Sequence, residues 1–74
     1  MDNKHYNTYV QIGLNILHYR KERGITQLEL AEMTSYSRNQ IQRVETAYSA
    51  PSVAILLDVA EALEIPVTKL FEMR

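Results

Sequence analysis

The chain has 74 residues, 46% of them hydrophobic and 23% charged, with two Gly, two Pro and no Cys. One small globular domain follows, burying about 60% of its unfolded surface; a low-complexity chain, a turn-rich all-β fold, a disulfide framework, thiolate zinc sites and thiol catalysis are excluded. The net charge of −1 is unevenly spread, at +2 over residues 1–24, −1 over 25–50 and −2 over 51–74, so an anionic partner is expected against the first two-thirds. The longest apolar run, Val53 to Leu57, is five residues, against roughly 20 for a membrane span. No apolar leader opens the sequence, and a cytoplasmic location is expected.

Residues 1–7 are polar and read as a flexible tail, with one domain over 8–74. From Tyr9 the apolar spacing is helical: Tyr9, Ile12, Ile16 and Tyr19 share one face. Lys21 and Arg23 suit the negative end of the helix dipole, and Gly24 terminates the helix. Thr26-Gln27-Leu28-Glu29 forms a capping box that starts a short second helix, with Leu28, Leu30, Ala31 and Met33 as its inward residues. That helix stops by Thr34 or Ser35. Ser37-Arg38-Asn39-Gln40 is a second capping box, opening a third helix from about Arg38 to Thr46. Ser52 or Ser49 caps a fourth helix, in which Val53, Leu56, Val59, Ala60 and Leu63 repeat with helical period. Pro66 then opens a fifth, burying Val67, Leu70 and Phe71. The pattern predicts an all-α domain of five short helices.

Little in the sequence suggests catalysis. His5 and His18 have no second ligand at metal spacing, no Gly-rich phosphate loop is present, and the acidic residues of the second and fourth helices read as solvated faces. So short a chain also has little room for a ligand cleft of roughly 300 Å³. Neither an enzyme nor a metal or cofactor site is expected.

Residues 26–46 carry the chemistry. They place two helices around a turn of three or four residues. At 100° per residue, Ile41 and Val44 set the inward direction of the third helix. Asn39, Gln42, Arg43 and Thr46 then project outward at i, i+3, i+4 and i+7, and Arg38 projects to one side. Asn and Gln can bond adenine bidentately in the major groove, and Arg can bond guanine. A helix N-terminus also offers free N–H groups to a phosphate. A polar outward face is common to surface helices, so the weight rests on its setting, a helix–short turn–helix.

The residues Gly13, Ile16, Arg20, Gly24, Thr26-Gln27, Leu30-Ala31-Glu32, Ser37, Ile41, Arg43, Val44-Glu45, Pro51-Ser52, Leu56, Ala60, Leu63 and Leu70-Phe71 form a specific string. Over Ile12 to Phe71 the chain resembles the Cro/repressor, Xre-like (lambda repressor-like) helix-turn-helix domain. The resemblance implies a compact five-helix domain whose third helix enters the major groove. It implies base-reading positions at Arg38, Asn39, Gln42 and Arg43. DNA-backbone contacts fall at Gln27, Ser37, Thr46 and Tyr48. Arg20 and Glu45 match an ion pair that belongs to the fold. The chain departs from the family where Gly is usual, with Ser35 in the turn and Ala47 after the third helix. A non-Gly residue at positive φ costs on the order of 1 kcal/mol, so these turns are either strained or differently shaped.

Val10, Leu14 and Leu17, extended by Tyr6, form a second apolar stripe on the first helix. It either packs on the fifth helix or serves association. Ile55, Ile65, Val67, Phe71 and Met73 are a further candidate surface. The expected function is a sequence-specific transcriptional regulator, binding double-stranded DNA at an inverted repeat as a symmetric homodimer. The alternative is a protein-interaction adaptor, antitoxin-like or regulator-binding, that keeps the fold without specific DNA binding. Small members of the family include restriction–modification controllers, antitoxins and phage or mobile-element repressors, which the sequence does not separate.

Overall fold

The computed structural model describes residues 4–73. Four α-helices are followed by a 3-10 helix: α1 Tyr6–Glu22, α2 Gln27–Thr34, α3 Arg38–Glu45, α4 Val53–Leu63 and the 3-10 helix Val67–Phe71. The described residues contain no strand, and none of their helices is long and apolar enough to cross a membrane. The expected fifth α-helix is thus corrected to five residues of 3-10 helix. With three residues per turn, Val67 and Leu70 share the inward face and Phe71 falls beside it. Leu70 is buried and Phe71 exposed.

Local chemistry sets the ends of the elements. Thr26 accepts from the Glu29 N–H (3.0 Å) while Glu29 accepts from the Thr26 N–H (2.8 Å). Ser37 and Gln40 make the same reciprocal pair at 3.1 and 2.8 Å. Each box satisfies two of the backbone donors that a helix start leaves open. Ser52 caps α4 through the Ile55 N–H (3.1 Å). Gly24 takes φ +69°, turning the chain out of α1. Helix α1 begins at Tyr6, three residues before Tyr9, because the Tyr9 N–H already reaches the His5 carbonyl (3.0 Å). Of the tail expected over 1–7, residues 1–3 lie outside the described residues, and Tyr6 and Asn7 are helical.

Ile12 and Ile16 of α1, Leu30 and Ala31 of α2, Ile41 and Val44 of α3, Ile55, Leu56, Val59, Ala60 and Leu63 of α4, and Leu70 form one core. Besides Phe71, three expected core residues stand outside it: Leu28, Met33 and Val53 are exposed. The inward row of α2 is Gln27, Leu30, Ala31 and Thr34, at i, i+3, i+4 and i+7. Its two ends are polar, which hides the row from a hydrophobicity count. The row of α4 runs through Ile55, Leu56, Val59, Ala60 and Leu63, and Val53, at the edge of that row in the first turn, is left exposed. Ile55 is therefore core and not an association surface.

A buried polar residue holds the C-terminal 3-10 helix in place. Asn15 donates both amide protons, to the Leu70 carbonyl (3.0 Å) and the Glu72 carbonyl (2.8 Å), and accepts from Gln11 (3.0 Å). The 3-10 helix thus lies over Asn15 and does not seal the Val10–Leu14–Leu17 stripe, where Leu14 stays 48% exposed. Tyr36, in the turn between α2 and α3, donates to the Asp58 carboxylate of α4 (2.7 Å). That hydrogen bond, then burial and the Asp58 charge, raise the Tyr36 pKa above the ordinary tyrosine value. Its stabilising contribution is complete below the ordinary value and is lost as pH rises through the raised one.

Three turns carry strain. Ser35 sits at φ 64°, Ala47 at φ 58° and Glu64, at the end of α4, at φ 57°. Ser35 and Ala47 keep the left-handed geometry that suits Gly, so their turns have that shape and bear its cost. Gly13 answers a different need. A Cβ there would lie 2.6 Å from the Val44 carbonyl oxygen and closer still to that of Glu45, so α1 and α3 meet backbone to backbone.

Ser35→Gly is expected to stabilise the protein by roughly 0.5–1 kcal/mol, relief of left-handed strain outweighing the added freedom of the unfolded chain. Thermal denaturation reads this as a rise of a few degrees. Gly13→Ala is expected to destabilise by about 1–3 kcal/mol despite the better helix propensity of Ala; an unchanged melting temperature would contradict the close approach.

Candidate nucleic-acid interface

Helix α3 divides into two sides. Ile41, Val44 and Glu45 are buried, while Arg38, Asn39, Gln42, Arg43 and Thr46 are exposed. No hydrogen bond or ion pair within the described residues holds the polar ends of Arg38, Asn39 or Gln42. Asn39, Gln42, Arg43, Thr46 and Tyr48 line one shallow depression of about 300 Å³. Their amide and guanidinium groups therefore converge on a common space, open to a large partner.

The buried side of α3 is fixed by charge. Arg20 of α1 donates to Glu45 through Nε (2.7 Å) and Nη2 (3.1 Å), a bidentate pair. Its Nη1 donates to the Ile25 carbonyl (2.9 Å). The two side chains are only 9% and 3% exposed. Burying such charges costs several kcal/mol per ion, offset only when geometry is good and the remaining groups are bonded. Both conditions hold, and no buried side-chain N or O among the described residues lacks a partner.

Gln27 joins this pair. Its amide donates to the Glu45 carboxylate at 3.0 Å. The amide has a second N–H, so half of its donor capacity serves the fold and half remains. Ser37 accepts from Gln40 and keeps its own hydroxyl proton as a donor. Thr46 differs: its hydroxyl donates to the Gln42 carbonyl (2.9 Å), so that proton is already committed within the helix. Tyr48 is 72% exposed, and the Arg43 guanidinium lies 5.3 Å from its ring centroid.

A second open depression, of about 750 Å³, surrounds the start of α2 and is lined by Arg20, Lys21, Gly24 to Leu28, and Arg38. It brings Lys21 and Arg38 beside Gln27 and the free N–H groups of a helix start, an arrangement suited to a phosphate. The spacing of α1 assigned Lys21 only to the helix dipole. Its proximity to Arg38 depends on how α1, α2 and α3 pack, which no local motif encodes. The volumes also correct the size argument made from chain length: depressions of 300 Å³ and more are present, as open surface troughs. Among the described residues no three His, Cys, Asp or Glu side chains are grouped to hold a metal ion.

A helix-turn-helix family model matches residues 16–70. Among solved structures, the chain is similar to the restriction-modification controller protein C.AhdI from Aeromonas hydrophila. The identity is 29% and the TM-score 0.88, over 92% of this chain and 99% of that one. It is similar to the clp gene regulator ClgR from C. glutamicum at 25% identity and TM-score 0.81, over 85% and 82% of the two chains. The P22 c2 repressor protein, solved in complex with a synthetic operator, gives 28% identity and TM-score 0.75, over 82% and 92%. No curated protein matches the sequence.

Glu45→Ala is expected to cost about 3–5 kcal/mol, because it leaves the Arg20 guanidinium buried without its counter-charge. Chemical denaturation measures this directly. A loss below 1 kcal/mol would mean that the pair does not hold α1 to α3.

Proposed function

The chain belongs to the helix-turn-helix family of the Xre and lambda-repressor type, and we propose that it is a sequence-specific transcriptional regulator acting on cytoplasmic DNA as a homodimer. The observation that carries this is the exposed side of α3. Arg38, Asn39 and Gln42 present polar groups with no partner in the described chain, and Arg43 stands beside them. Asn and Gln recognise adenine and Arg recognises guanine at major-groove edges. Gln27, through its second N–H, and Ser37, through its hydroxyl, donate to phosphates beside the helix starts. Thr46 and Tyr48 are the further DNA-backbone contacts, Thr46 only if its hydroxyl leaves the Gln42 carbonyl. The helices from Tyr6 onward act together as one DNA-binding domain.

Four base-reading side chains specify only a few base pairs. Two copies extend the site to an inverted repeat with half-sites about 34 Å apart, one helical turn. The copies associate through apolar side chains that one chain leaves outside, either Leu14 with Val10 and Leu17, or Phe71 with Met73. The similarity to an operator-bound repressor and to a controller protein supports this reading. The net charge of −1 favours the adaptor alternative and, for a DNA binder, implies few phosphate contacts and a shallow salt dependence.

Selection of bound sequences from random duplex DNA at about 100 mM salt is expected to enrich an inverted repeat. No enrichment, with no retention at low salt, would favour the adaptor. On the selected duplex, Asn39→Ala or Arg43→Ala is expected to weaken binding by about 1–3 kcal/mol with melting nearly unchanged. A large fall in melting temperature would mean that these side chains belong to the core.

A further inference from the structure

The chain leaving α3 makes a left-handed turn at Ala47, φ 58°. Ala47 is itself buried, at 2% exposure, so packing holds this unfavourable conformation. The turn carries the backbone back along the helix it has just left. The Tyr48 N–H donates to the Arg43 carbonyl at 2.9 Å, and the Ser49 N–H approaches the same oxygen at 3.4 Å. Arg43 is thereby tied to residue 48 through the main chain. The side chains meet as well, with the guanidinium 5.3 Å from the Tyr48 ring centroid. That distance is within the range of a cation–π contact.

The contact matters because of what Arg43 otherwise lacks. Its guanidinium makes no hydrogen bond or ion pair within the described residues. An exposed Arg samples many rotamers, and fixing such a side chain on binding costs affinity. A ring that already holds the guanidinium reduces that cost. A cation–π contact commits none of the guanidinium N–H donors to a hydrogen-bond acceptor, so they stay available for bidentate bonding. The Tyr48 ring further forms part of the same depression as Asn39 and Gln42.

We propose that Tyr48 is a positioning residue for base recognition, its ring pre-orienting the Arg43 guanidinium toward the base edge; this rests on the reading of Arg43 as a base-contacting side chain. The ring, not the hydroxyl, performs this role. Tyr48 thereby shapes sequence preference at one base pair rather than contributing only a sequence-independent backbone contact.

The test uses the duplex selected by the unaltered protein and single base-pair variants of it. Arg43→Ala first identifies the base pair whose preference depends on Arg43. Tyr48→Ala is then expected to lower the preference at that pair by about 2–5-fold, the scale of an exposed cation–π contact. Tyr48→Phe keeps the ring and is expected to keep the preference. In the Arg43→Ala background, Tyr48→Ala is expected to add nothing at that pair. The ring is 72% exposed, so both variants are expected to fold. In the free protein, ring-current shifts of the Arg43 side-chain protons are expected with Tyr or Phe at position 48 and absent with Ala. If Tyr48→Ala and Tyr48→Phe both weaken binding equally on every duplex, the hydroxyl contacts the backbone and the proposal is overturned. A silent Tyr48→Ala beside an effective Arg43→Ala overturns positioning alone. An Arg43→Ala variant that alters no base preference overturns the base-reading role and the positioning role together.

Discussion

The Glu45 carboxylate accepts from Arg20 on α1 twice and from Gln27 on α2 once, while Glu45 itself belongs to α3. Three helices therefore converge on one buried charge. The backbone contact at Gly13, where α1 passes against the carbonyls of Val44 and Glu45, brings the helices close enough for this to happen. With α1 and α2 so placed, the direction of α3 is set, and with it the side that faces outward. A weaker or more distant pair would let α3 rotate, and every proposed base contact would move with it. Side chains that recognise bases need a rigid mount, because bidentate hydrogen bonds tolerate little misalignment.

The same network reaches the surface through Gln27. One N–H of its amide holds Glu45 and the other remains to donate. A phosphate contact at that position would therefore be oriented by the ion pair that organises the core. At the other end of α3, the buried Ala47 turn brings Tyr48 beside Arg43. The helix is thus held at its start by a capping box, along its inner side by apolar packing and Glu45, and at its end by a strained but buried turn. Its outward side chains carry little structural duty and can vary with the sequence to be read.

Much of this was legible in the residues because its causes are local. Thr26 with Glu29 and Ser37 with Gln40 identify two helix starts by hydrogen-bonding chemistry that needs no tertiary information. Gly24 marks an end, and the inward spacing of Ile41 and Val44 fixes the faces of α3. Leu28, Met33, Val53 and Phe71 were less legible. A helix of eight residues such as α2 offers more than one inward row, and its neighbours decide between them. Gln27 and Thr34 flank the row that packs, so polarity disguises it. Asn15 was not marked by any motif, although it lies among Ile12, Ile16 and Tyr19 on an apolar face; an amide there signals buried carbonyls that need donors. The strained backbone at Ser35 and Ala47 was foreseeable as a cost, and only the packed structure shows that the chain accepts it.

The claim on which the function rests is that the outward side of α3 and the start of α2 meet DNA. Amide chemical-shift mapping during titration with the selected duplex tests it most directly. Perturbations are predicted at Gln27, at Ser37 to Arg43 and at Thr46 to Tyr48, with α4 and the 3-10 helix little changed away from any copy–copy contact. Perturbations concentrated on the acidic side of α4, around Asp58 and Glu61, with α3 unaffected, would contradict it.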